Sequence, residues 1–192
     1  MKLIHTTLPG VVIVEPAVFG DERGWFYESH NQARFDAALA DLGLPAPRPF
    51  VQDNHSCSQA GVLRGLHYQT APHAQGKLVR VVRGSAYDVA VDIRAGSPDF
   101  GRWVGVELNA SNRLQMWIPE GFAHGFIALE DNTHFLYKTT DVYAKDCERS
   151  IRWNDPALAI AWPLPPGMGR PLLAPKDAAA PLWDQEAIAP SS

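Results

Sequence analysis

From Tyr87 to Arg94 the chain alternates, with Tyr87, Val89, Val91 and Ile93 falling between Asp88, Ala90, Asp92 and Arg94. A side-chain period of two marks a strand with one buried face. Runs of β-branched and aromatic residues predict further strands at Val11–Val14, after a Pro-Gly turn, and at Trp25–His30, after the turn-like Gly20–Gly24. The same signal recurs at Phe50–Ser58, Val62–Gln69, Lys77–Arg83, Trp103–Leu108, Leu114–Ile118, Phe122–Leu129 and His134–Thr140. Helical spacing is clear only once in the early part of the chain. Phe35, Ala38, Leu39 and Leu42 recur on one face, Asn31 is a natural N-cap, and Gly43 stops the run. The proline-rich Leu44–Pro49 is a connector, and from Asn154 onward short turns and extended pieces are expected to lie over the strands. Many short strands broken by Gly and Pro turns imply a mainly β sandwich or barrel with few helices.

Composition narrows the picture little. The 192 residues suit one domain, expected over 1–186, with 187–192 a frayed tail. The net charge of -4 argues against nucleic acid as a partner, because phosphate-backbone binding needs a basic footprint. Two cysteines, Cys57 and Cys147, read as reduced thiols. No apolar run reaches membrane-spanning length, and the first residues lack a signal-peptide core, so a cytoplasmic protein is expected.

The chemistry concentrates in Gly61–Gln69 and Lys77–Arg80, where Arg64, His67 and Lys77 interrupt otherwise apolar strands. Charges in such a setting must be paired or useful. A histidine takes up a proton near neutral pH, and a lysine or arginine holds developing negative charge or phosphate. Strict alternation puts Leu63, Gly65 and His67 on one face and Arg64 and Leu66 on the other. Arg64 and His67 therefore share a site only if the strand is irregular, and Gly65 is the natural place for a bulge. Gln52 and Asn54 have matching parity and are expected to point into the same cavity.

The remaining histidines, His5, His30, His55, His73 and His134, read singly as surface or structural residues. His67 and His124 read equally as satisfied core histidines or as site groups. No metal is predicted, since His67 lacks a second histidine two residues on and no carboxylate follows until Asp88. Tyr137, in mid-strand, is a candidate proton donor. Tyr143, near a strand end, reads as an aromatic with its hydroxyl satisfied at the surface, and Lys176-Asp177 alone reads as a solvated pair.

Larger pieces then fall into order: Asp21–Glu28, Gln52–Ser56, Gly61–Gln69 with Lys77–Arg80, Asp88–Arg94 with Ser97–Gly101, Trp117–Phe126, Tyr137–Tyr143, Trp153–Pro156 and Lys176-Asp177. Together they resemble the dTDP-4-dehydrorhamnose 3,5-epimerase family of nucleotide-sugar enzymes. The resemblance implies a cupin-type jelly roll, a homodimer, and no metal or organic cofactor. It implies epimerisation at C3 and C5 of dTDP-4-dehydro-6-deoxy-D-glucose, with a single-centre epimerase on a related sugar as the alternative. It makes His67 the general base, Asp177 the base's partner, Tyr137 the general acid, and Lys77 the group at the carbonyl oxygen. Arg23, Glu28, Gln52, Asn54, Arg64, His124, Glu148 and Lys176 fall on its substrate-contacting positions. The chain departs from the family pattern in the Ala-Pro-rich 163–175 segment and at Trp25, where a smaller aromatic or apolar residue is expected.

Overall fold

In the computed structural model, which describes residues 1–183, two six-stranded sheets enclose a common apolar interior. The first runs in the order β1 (Lys2–His5), β2 (Val12–Glu15), β10 (Gln115–Ile118), β7 (Lys77–Arg83), β12 (Thr133–Thr139) and β5 (Gln52–Ser58). The second runs β13 (Glu148–Ser150), β6 (Val62–Gln69), β11 (Phe122–Ala128), β8 (Ser85–Asp92) and β9 (Trp103–Asn109), with β14 (Leu172–Leu173) parallel to β6. This is the expected jelly roll. The expected tail at 187–192 lies outside the described residues.

Alternation decides what fills the interior. Val79 and Val81 of β7, Ala86 and Ala90 of β8, Phe122 and Phe126 of β11, and Phe135 of β12 pack together between the sheets. The outer face of the first sheet, through Val12, Val14, Leu78 and Trp117, is covered by Phe35 and Leu39 of α1 (Gln32–Asp41). Asn31 caps that helix, its side chain accepting from the Arg34 backbone N–H, as expected. The outer face of the second sheet, through Leu66, Val89, Val91 and Ala123, is covered by Ile151, Leu158, Ile160 and Trp183 of the C-terminal part. That part runs mainly as turns and extended chain, also as expected.

One expected strand is shorter than predicted. Trp25–His30 is strand only through Phe26, where β4 (Gly24–Phe26) forms a hairpin with β3 (Phe19–Asp21). Asp21 tightens its turn by accepting from the Arg23 backbone N–H at 2.9 Å, so the turn-like stretch leads into β4 as expected. The short strands β1, β13 and β14, and the single-turn α2 (Pro175–Ala178), were not signalled by the pattern. They are too short to show a period.

Candidate active site

A cavity of about 350 Å³ opens at one end of the interior. The alternating rows that build the core continue into it, with a polar residue replacing an apolar one on each strand. Lys77 extends the Val79–Val81 row of β7, and Tyr137 extends the Phe135 row of β12. His124 lies between Phe122 and Phe126 on β11, and Asp88 between Ala86 and Ala90 on β8. Core geometry thus fixes the polar groups, which is the preorganisation a catalytic site needs.

The irregularity expected in β6 is present. His67 pairs with His124, but Arg64 pairs with Phe126, so three steps on β6 oppose two on β11. Gly65 has φ +126°, and a Cβ there would meet the Gly125 Cα at 2.6 Å and the His124 carbonyl oxygen at 2.8 Å. Only glycine fits so close a contact. The shift brings Arg64 and His67 to the same cavity despite their opposite parity.

His67 Nε2 lies 2.6 Å from Asp177 Oδ1. Asp177 is only 2% exposed, and reaches this position because β14 runs along β6 before Pro175 starts α2. Such a partner fixes the ring's orientation and leaves the other ring nitrogen to exchange protons. Tyr137 enters from the opposite sheet. Burial raises its phenol above the ordinary value, although Arg64 and Lys176 pull it down, so it is a protonated donor at neutral pH. Lys77 is 7% exposed; burial lowers its ammonium to about 8 against the attraction of Asp88 and Glu148.

At the cavity mouth Lys176 Nζ donates to Glu148 Oε1 at 3.0 Å, and the Tyr143 hydroxyl donates to Oε2 at 3.1 Å. Burial pushes the Glu148 carboxyl up, but these bonds and the Lys176 charge outweigh it and hold the group below its usual range. Tyr143 has its hydroxyl satisfied at the surface, on Glu148, as expected, and it also lines the cavity. Asp88 was missed as a site residue, although a carboxylate between Ala86 and Ala90 on an inward row was a readable signal. Among the described residues no group of three or more His, Cys, Asp or Glu is placed to hold a metal ion.

Four expected site residues lie elsewhere in this chain. Arg23 is on the hairpin, bonded to Asp21 and largely exposed, and Glu28 bonds to Arg34 and Asn31. Gln52 and Asn54 share a face, as their parity implied, but they bond to each other at 3.0 Å, and the cavity wall is formed by Ser56 of the same row. Gln52 touches the site indirectly, accepting from the Tyr143 backbone N–H at 2.9 Å. Trp25 does not line the cavity either; it stacks on Tyr27 and lies under the Arg113 guanidinium.

The family profile for dTDP-4-dehydrorhamnose 3,5-epimerase matches residues 5–185. The chain belongs to the dTDP-4-dehydrorhamnose 3,5-epimerase family. It is therefore an isomerase of the epimerase type. The family's enzyme from Salmonella typhimurium is 55% identical over 185 residues, covering 96% of this chain and 97% of that one. A crystal structure of the epimerase from Legionella pneumophila, in complex with dTDP-4-keto-L-rhamnose, superposes with a TM-score of 0.86 at 52% identity, covering 94% of this chain and 92% of that one. A 3'-monoepimerase from Streptomyces bikiniensis, in complex with dTDP-quinovose, is more distant: 34% identity and a TM-score of 0.81, covering 95% and 87% of the two chains.

Proposed function

We propose that this epimerase converts dTDP-4-dehydro-6-deoxy-D-glucose to dTDP-4-dehydro-L-rhamnose by inverting C3 and C5, without a cofactor. The observation that carries this reading is the arrangement of His67 and Tyr137. They enter one cavity from opposite sheets, with the buried Lys77 in the same cavity. A ketone at C4 acidifies the hydrogens on both neighbouring carbons. His67, held by Asp177, takes the proton from one face of the ring, and the electron pair moves onto O4 as an enolate. The Lys77 ammonium stabilises that oxyanion, more strongly in this buried setting than in water. Tyr137 returns a proton from the opposite face, which inverts the carbon, and exchange with solvent restores both groups.

The mouth of the cavity suits the nucleotide end of the substrate. Arg64 and Lys176 are its cations, and a guanidinium matches two phosphate oxygens at once. Arg23 and Glu28 are assigned to the same substrate through a second copy of the chain. The hairpin that carries Arg23 exposes Phe19, Trp25 and Phe26 at 58–69%, a surface that a homodimer would cover. A cytoplasmic location fits the free Cys57 and Cys147, and no helix among the described residues is long and apolar enough to cross a membrane.

Incubation with dTDP-4-dehydro-6-deoxy-D-glucose, coupled to a 4-ketoreductase and NADPH, tests the reading. The expected product is dTDP-L-rhamnose. A product inverted at one carbon only would replace this assignment with the single-centre reaction, and unchanged substrate would overturn it.

A further inference from the structure

Asp88 is a buried carboxylate that the proposed reaction does not use. One of its oxygens, Oδ1, lies 2.6 Å from His124 Nε2. The other, Oδ2, is buried with no hydrogen-bond partner among the described residues. A bare carboxylate oxygen in a protein interior is costly unless a nearby charge compensates it. Burial pushes the Asp88 carboxyl up, while His124 and then Lys77, on the facing sheet, pull it back toward the charged form. Lys77 reaches the same cavity as His124, and the carboxylate that attracts it most strongly is Asp88, followed by Glu148.

We propose that Asp88 is a positioning residue, orienting His124 through one oxygen and, through its charge, holding Lys77 as an ammonium in the cavity. The inference rests on Lys77 being the group that stabilises the enolate oxygen. The other charged or titratable groups that line the cavity around Lys77 are Glu148 on β13, Arg64, His67 and Tyr68 on β6, His124 on β11, Tyr137 on β12, Tyr143 after it, and Lys176 and Asp177 of α2. Of the lining carboxylates, Glu148 attracts Lys77, while Asp177 is paired with His67. Burial has already brought Lys77 down to about 8, so the loss of one counter-charge moves it toward the neutral amine at working pH. A neutral amine cannot stabilise the oxyanion as a charge does.

The sign of the effect follows. Removing the Asp88 charge lowers the proton affinity of Lys77, so the alkaline loss of turnover begins at lower pH. Asp88→Asn keeps the size of the side chain and an oxygen for His124. Two readouts apply: the pH profile of kcat, and the titration of Lys77 Nζ followed by NMR in 15N-lysine protein, with Lys77→Arg identifying the signal. Both midpoints are expected to fall by about one pH unit in Asp88→Asn, a roughly tenfold loss of kcat on the alkaline side, with KM little changed. Asp88→Glu restores the midpoint. In a Lys77→Arg background, where the guanidinium does not titrate, Asp88→Asn leaves the alkaline limb in place. An unmoved Lys77 midpoint, or a kcat lowered equally at every pH, overturns the proposal.

The NMR titration needs no substrate, so an inactive wild-type protein would count against the proposed reaction and leave this test intact. Should Asp88→Asn not fold, the coupling is read in reverse. Lys77→Met must then raise the titration midpoint of the Asp88 carboxyl, and an unchanged midpoint overturns the proposal.

Discussion

Lys77 carries both the largest liability and the sharpest test among single residues. Its ordinary value of 10.5 falls to about 8 on burial, so the folded protein binds this proton more weakly than the unfolded chain. A depressed lysine costs stability below pH 8, and the cost fades as pH rises from about 8 to 10.5. Lys77→Met should therefore stabilise the fold by roughly 3 kcal/mol at pH 7, an advantage that shrinks toward pH 10. Denaturant melts at the two pH values check this, and a less stable variant at pH 7 would contradict it. The same substitution should lower turnover by roughly 10²–10³-fold, the usual loss for one oxyanion donor. Near-wild-type turnover would remove Lys77 from the mechanism. For Tyr137→Phe, product formation should fall by roughly 10²-fold or more while His67 still exchanges substrate hydrogen with solvent. If product formation survives, Tyr143, which lines the same cavity, becomes the better donor.

Elements position these residues, and the close contact between β6 and β11 matters most. Gly65→Ala would place a Cβ 2.6 Å from the Gly125 Cα in a left-handed backbone conformation. A loss of roughly 2–4 kcal/mol is expected, with turnover falling further than stability alone explains, because the contact sets the register of His67 against His124. Thermal melts and kinetics on the soluble variant decide; a stable, fully active Gly65→Ala would show the contact to be dispensable. The long strands were legible because their side chains alternate over seven or eight residues, in β8 through the outer row Tyr87–Ile93 rather than the inward one, and the capped helix because Asn31 and Gly43 bracket a helical spacing. The need for a bulge at Gly65 was legible from the parity of Arg64 and His67. Asp177 was not legible from local pattern: its role depends on β14 docking beside β6, a long-range event that two leucines do not announce. Gln52 and Asn54 show the opposite error, since correct parity gave the right face but could not reveal that the two amides bond to each other.

At the scale of the whole molecule, the two sheets supply complementary halves of one site. His67 and His124 come from one sheet, and Tyr137 and Lys77 from the other. The exposed aromatic hairpin lies outside that division. If a second copy covers it, replacing Trp25 and Phe26 together by Ser should shift the protein toward monomer in sedimentation velocity and raise KM, because Arg23 would no longer be presented. A double variant that keeps the wild-type sedimentation coefficient and KM would contradict the dimer through this face. The central claim is that one base and one acid act from opposite walls on both carbons beside the ketone. Its most direct test is the reaction of dTDP-4-dehydro-6-deoxy-D-glucose in D₂O, with deuterium followed by NMR. Deuterium entering at both C3 and C5, with both centres inverted, is the predicted result. Label and inversion confined to one carbon, or no label at either, would contradict it.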